Sequence, residues 1–456
     1  MKSRISFFDG ATFKKDITRF MPLWILYTVF LLLCMIPTAA GGSYYSSPAR
    51  ALNSSLEGLA VANFLYGALT AQLLFGELFN SRLCNAIHAM PVTREARFGS
   101  HILAGILFAW IPNLLTALLM APYLGHLWFT AFLWLAVYSM QYLFFFGTAV
   151  FSIMCTGSRF AMVMVYGIVN FLSVVVYWFI GTIYRPLMPG VEIDTGWMEL
   201  LCPLVRFFSE YDYFQISTQI PYGGYPVQST YEGLGDSWTY LFVTAVVGII
   251  ALIAALLMYR KRKLESAGDF IAVKWIAPIF LVLYTLCAGA FLTVFGELFG
   301  TDIIAFTLIL GLIIGFFTGK MLLERTVRVF RKKNFLLAGI LLAAMLFSLV
   351  PVQNDWFGII HYVPDAEDVE YIEVRGAGFS RQELKNPEDI EMVCQIHSCA
   401  LDDLAHEDNM GSCSAIHSYF RIIYHMKNGR IVERYYTICG YSYAGQLLNQ
   451  FIRKIG

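Results

Sequence analysis

The chain has 456 residues, 58% of them hydrophobic and only 14% charged, with 32 basic side chains balanced by 32 acidic ones. Soluble domains run near 45–50% apolar and about 25% charged. The composition therefore excludes a soluble enzyme, a disordered chain and a nucleic-acid binder that needs a basic stripe. A polytopic membrane protein remains.

Residues 5–20, ISFFDGATFKKDITRF, interleave aromatic and basic side chains ahead of the first apolar run. That pattern predicts an amphipathic helix in the membrane interface, so 1–20 reads as a cytoplasmic interfacial segment. A bilayer core about 30 Å thick takes roughly 20 apolar residues as a helix. Nine stretches qualify, at about 21–40, 57–77, 101–121, 128–153, 160–183, 237–259, 276–297, 302–321 and 335–352. The stretch 57–77 is the most polar, with Glu at both ends and Asn63 and Gln72 inside. The first run ends in Pro37-Thr38-Ala39-Ala40-Gly41, which resembles a cleavage site. Its 20-residue leader with Asp9 and Asp16 argues instead for a retained span.

Orientation follows from Lys and Arg. With the N-terminus inside, the cytoplasmic segments hold twenty of them and the outer loops only Arg50, Arg185 and Arg206. Nine spans then place the tail outside the cell. Between spans five and six, 184–236 reads as an outer helical insertion broken at Pro203, with PYGGYPVQ as a turn-rich loop beside it. In span eight Gly311, Gly315 and Gly319 share one face and predict close helix packing. Asn113, Gln141 and Asn170 are path-lining candidates, although hydrogen bonding between helices is the commoner use of such residues.

The tail, 353–456, carries a net charge of −6, offsetting +6 on the rest of the chain. Alternation at 369–375, helical spacing at 387–404, two strands meeting at Asn428-Gly429 and an amphipathic end predict a small α+β domain. The expected fold is thus an all-α membrane domain of about nine helices plus an α+β extracytoplasmic domain. Four cysteines lie in this tail: Cys394, Cys399, Cys413 and Cys439. Outside the cell, disulfides among them are allowed, and buried thiols are the alternative. Their spacing with His397, His406 and His417 matches no standard zinc pattern, so no metal site is expected.

Searches for catalytic motifs come back empty. The chain has no phosphate-binding loop, zinc-protease helix, nucleophile elbow or dinucleotide fingerprint. The ionisable residues Glu77, Glu297, Asp302 and Lys320 sit at span ends rather than inside. That argues against ion-coupled transport. The segments 78–100, 259–275 and 320–334 instead interleave basic and apolar residues beyond what chain turning requires.

The residues Leu78-Phe79-Asn80 through His88-Ala89-Met90-Pro91-Val92-Thr93-Arg94-Glu95 carry a likeness, as do Arg262 through Asp269 and Met426-Lys427-Asn428-Gly429-Arg430 through Arg434-Tyr435-Tyr436. On these the chain resembles an ABC-2-type permease of the Gram-positive group that ends in an extracytoplasmic domain. The likeness covers 21–262 as a six-span core, while 263–352 supplies three additional spans. It implies a bacterial cytoplasmic-membrane subunit, a homodimer or a pair with a sibling permease, and a separate cytosolic ATPase that binds ATP and Mg. This chain would bind no cofactor and no nucleic acid, and would move or handle a peptide, antibiotic or envelope lipid.

The ATPase-coupling candidates are Leu83, Ile87, His88, Met90, Pro91, Arg94, Arg97 and Phe98. Arg262, Glu265 and Asp269 are candidates for a second contact. A membrane sensor or scaffold whose acidic outer domain binds a ligand is the rival reading.

Overall fold

The structure is a computed structural model and describes residues 8–41, 48–184, 187–192, 196–209, 212–219, 228–297, 304–376, 379–405 and 417–455. The chain packs as two units, Met1–Val175 with Met198–Arg331, and Val176–Trp197 with Lys332–Gly456.

The first unit opens with α1 (Gly10–Arg19), whose N-cap Asp9 accepts from Thr12 N at 2.9 Å. Then come α2 (Met21–Ala40), α3 (Pro48–Leu74), the short α4 (Ser81–His88), α5 (Arg94–Met120) and α6 (Thr130–Cys155). α7 (Arg159–Phe179) precedes α8 (Gly196–Leu201) and α9 (Pro203–Ser209), which part at Pro203 as expected. The strands β1 (Phe214–Gln219) and β2 (Gln228–Leu234) follow as an antiparallel hairpin that the turn-rich reading of this region missed. The turn residues 220–227 lie outside the described residues. α10 (Ser237–Lys261), α11 (Ile276–Glu297) and α12 (Ile304–Glu324) complete the unit.

Among the described residues eight helices are long and apolar enough to cross a membrane: α2, α5, α6, α7, α10, α11, α12 and α13 (Lys332–Gln353). The expected span at 57–77 differs. It falls in α3, which has 27 residues and ample length but is not among the eight. The cause is composition, since Asn53, Asn63 and Thr70 lie on its buried side.

α6 is the hub. Trp134, Tyr138, Phe145 and Phe146 on it are fully buried. α3 packs on one side of it, and on the other α10 crosses so closely that a Cβ on Gly248 would sit 2.7 Å from the Leu143 carbonyl. Only glycine lets the two backbones touch there. α12 meets α11 in the same manner. Cβ atoms on Gly311, Gly315 and Gly319 would lie 2.9 Å from Gly289 Cα, 2.6 Å from Ala288 Cβ and 2.9 Å from Leu281 Cδ1. The predicted glycine face is a helix contact.

In the second unit α13 leads into a tight turn. There Asp355, at φ 45°, accepts backbone N–H groups of Ile359, Ile360 and His361 at 2.6, 3.0 and 3.1 Å. Burial opposes ionisation, but these bonds and that from the His361 ring hold the carboxyl at about 2. The tail domain is a four-stranded antiparallel sheet in the order β4-β3-β5-β6. Its strands are β3 (Val369–Gly376), β4 (Phe379–Leu384), β5 (His417–Met426) and β6 (Ile431–Cys439). Two helices, α14 (Pro387–Ala405) and α15 (Tyr443–Ile455), cover one face of it.

Its core joins Ile372, Val374, Phe420 and Ile422 to Ile396 and Phe451. The fully buried His397 pairs with Tyr424 Oη at 3.0 Å, and burial plus the nearby Arg434 lower its pKa to about 3, so it is neutral. The strands at 369 and 431, the turn at Asn428-Gly429 and both helices match expectation, whereas β4 was not foreseen. Cys439 is disulfide-bonded and Cys394 and Cys399 are free thiols, while Cys413 and His406 lie outside the described residues.

Replacing Gly315 by Leu must push α11 and α12 apart, at a cost of about 1–3 kcal/mol. Gly339, where a Cβ meets nothing within 4 Å, is the control. Thermal unfolding of the purified protein should show a lowered midpoint for Gly315→Leu and none for Gly339→Leu. Equal midpoints would refute the packing role.

Candidate functional site

The segment joining α3 to α5 was expected to present eight side chains to a partner. Asn80 caps α4, its side chain accepting from Arg82 N and Leu83 N at 3.0 and 3.3 Å. Thr93 caps α5 by accepting from Ala96 N at 3.2 Å. Between these caps Leu83, Met90 and Pro91 are exposed, and Ile87 is buried. The side chain of His88 lies outside the described residues.

Besides Ile87, three more of the eight turn inward. Phe98 packs in the core between Phe75 and Tyr259. Arg97, 2% exposed, donates to Ile87 O at 2.8 Å and so closes the last turn of α4. Arg94 donates to the Tyr259, Arg260 and Arg262 carbonyls at 3.3, 3.2 and 2.9 Å, capping α10. Glu95 adds an ion pair to Arg260 at 3.2 Å. Both arginines occupy the place where orphan carbonyls and the negative end of a helix dipole favour a cation.

The second set behaves likewise. Arg262 donates to Ile153 O at 2.8 Å and Leu78 O at 3.4 Å, stapling α6 to the end of α3, and burial draws its pKa down to about 10. Glu265 is exposed, and Asp269 pairs with Arg325 at 3.3 Å. The segment 262–275 is held against the α6–α7 turn by Gly268 N to Gly157 O at 2.7 Å and Ala272 N to Cys155 O at 2.9 Å.

The polar residues inside the bundle hold helices together. Asn113 donates to Ser139 Oγ at 3.3 Å, and Gln141 donates to Tyr213 Oη at 3.1 Å. Asn170 bonds back to Tyr166 O at 2.8 Å. All three are buried.

A group that sequence reasoning did not assemble lies beneath α4. Asp16 on α1 and His101 on α5 are buried and meet at 2.6 Å, and the other ring nitrogen of His101 stands 3.6 Å from Glu77 Oε1. Both ring nitrogens face carboxylates, an arrangement that a doubly protonated imidazole satisfies. Ser100 completes the attachment, since Asp9 N donates to its Oγ at 2.8 Å. Asp9 is held below the usual carboxylate range by hydrogen bonds from the Thr12 hydroxyl and N–H. A cavity of about 320 Å³ opens here, with Lys15, Arg19, Arg97 and Arg159 offset by Asp9, Asp16 and Glu77. The sequence clue was that Asp16, Glu77 and His101 all fall at predicted span boundaries on one side. Among the described residues no group of three His, Cys, Asp or Glu side chains is arranged to hold a metal ion.

Comparison with protein families, curated proteins and solved structures returns no match for this chain.

The buried triad anchors α1. Asp16→Ala leaves the buried His101 with only the longer contact to Glu77, which should destabilise the fold by about 3–5 kcal/mol. Replacing Asp16 and His101 together by leucine should cost less, because the imidazole is removed along with its closer partner. A single variant that melts like the parent, or a pair worse than the single, would contradict this role.

Proposed function

We propose that the chain is the permease subunit of an ATP-binding cassette transporter, with α4 as the docking element for a separate cytosolic ATPase. The observation that carries the reading is α4 itself. It is a short helix between α3 and α5, stiffened by caps at both ends, whose exposed apolar side chains are Leu83 and, just beyond it, Met90. Arg97 ties the last turn of α4 to α5, Arg94 ties α5 to the end of α10, and Arg262 ties α6 to Leu78 just ahead of α4, so a push on α4 reaches the bundle through these bonds.

Further support comes from charge and composition. Lys and Arg concentrate on the segments that share a side with α4 when α3 is counted as a ninth span. That count puts the N-terminus in the cytoplasm and the acidic tail domain outside. The chain lacks a phosphate-binding loop, which fits hydrolysis on a partner subunit. On this reading two such permeases, identical or sibling, pair around a path for a peptide, antibiotic or envelope lipid.

The test is purification of the tagged full chain from its native membranes in mild detergent. A cytosolic ATPase should co-purify, and Leu83→Glu with Met90→Glu should lower its recovery at least tenfold without changing the melting midpoint. Absence of any ATPase, or recovery unchanged in the variant, would overturn the proposal.

A further inference from the structure

A second cavity, of about 460 Å³, lies where α10 ends and α11 begins, and its charge balance differs from that beneath α4. Its lining contains Lys261, Arg262, Lys263 and Lys274 and not one carboxylate. Arg262 is committed to backbone carbonyls. The three lysines make no ion pair among the described residues, and all three are exposed. Four cations gathered without a carboxylate in the lining make a local positive field that favours an anion from outside the chain.

The rest of the wall says which anion. Leu257, Met258 and Trp275 line the same cavity. Leu257 belongs to an exposed apolar stripe on α10, with Ile253 and Ile250 one and two turns further along. The exposed Trp275, just ahead of α11, is followed on that helix by the exposed Ile279. A basic cluster at the ends of two spans thus runs directly into two membrane-facing apolar stripes. An inorganic ion needs only the first feature, whereas a lipid with a charged headgroup and acyl chains needs both. The cavity floor is also built in, because the 262–275 segment is bonded through its backbone to the α6–α7 turn.

We infer that this cavity is a binding site for an anionic phospholipid. The headgroup phosphate sits among Lys261, Lys263 and Lys274, and an acyl chain runs along Leu257, Ile253 and Ile250. The inference requires only that the chain lies in a membrane and is independent of the transport reading. Arg262 shapes the floor, and the lysines select net negative charge over a zwitterion.

The experiment titrates the purified full chain with phosphatidylglycerol or phosphatidylcholine and reads bound lipid by native mass spectrometry. Phosphatidylglycerol should bind at least tenfold tighter. The triple variant Lys261→Gln, Lys263→Gln, Lys274→Gln should lose on the order of 100-fold in phosphatidylglycerol affinity, about fivefold per lysine. The variant Lys332→Gln, Lys333→Gln removes two cations from the start of another span and should keep the preference. Equal binding of the two lipids, an unchanged triple variant, or an equal loss in the control would each overturn the site. Displacement of phosphatidylglycerol by excess inorganic phosphate would overturn the lipid assignment in favour of a simple anion site.

Discussion

A polar group in hydrocarbon must find its partner within the protein, because each one left unsatisfied costs several kcal/mol. That constraint organises the bundle around α3 and α6. Asn63 on α3 accepts from Tyr27 Oη at 3.2 Å and donates to Tyr138 O at 3.0 Å, with Gln141 Oε1 3.5 Å away. Tyr27 also reaches Tyr138 Oη at 3.0 Å, and its ring stacks on Tyr66 at 3.6 Å. Pro112 in α5 has no N–H to give to Phe108 O, and Tyr66 Oη fills that carbonyl at 2.9 Å. A helix with polar residues on its buried side is thereby bonded to α2, α5 and α6, while Val61, Leu65 and Leu69 are exposed. Each such bond contributes roughly 0.6–2 kcal/mol.

The same accounting operates at the helix ends, with charge in place of hydroxyl and amide. Arg94, Arg97 and Arg262 spend their donors on the carbonyls of α10, α4 and α6, and Asp16 spends its charge on His101. These residues build the end of the bundle and leave recognition to others. What remains available is the apolar pair Leu83 and Met90 on one side and the unbalanced lysines on the other. On the two proposals a protein partner and a lipid would find chemically different surfaces, contributed by segments far apart in the chain.

Much of this architecture is legible in the sequence because hydropathy and turn chemistry are local. The apolar runs, the break at Pro203, the glycine face of α12 and the Asn428-Gly429 hairpin all declare themselves within a few residues. The rest depends on partners far away in the chain. Whether Arg94 faces solvent or caps α10 is decided by residues 259–262, some 165 positions later. Tyr27, Asn63 and Gln141 look like isolated polar residues until α2, α3 and α6 are brought together. The hairpin at 214–234 was missed because its strands are short and its turn is rich in residues that read equally well as loop. β4 was missed because Arg381 and Glu383 on it, with Lys385 just beyond its end, carry more charge than a strand pattern suggests.

On the proposed reading α3 crosses the membrane as a ninth helix despite its polarity, sustained by its bonds to α2, α5 and α6. Span parity then separates the two ends of the chain. Single cysteines introduced at the exposed positions Lys14, on α1, and Tyr441, before α15, can be challenged with a membrane-impermeant thiol reagent in intact cells. In a background with the free native thiols Cys34, Cys84, Cys155, Cys202, Cys287, Cys394 and Cys399 replaced, Tyr441→Cys should label at once and Lys14→Cys only after permeabilisation. Labelling of both positions, or of neither, before the membrane is opened would mean that only eight helices cross.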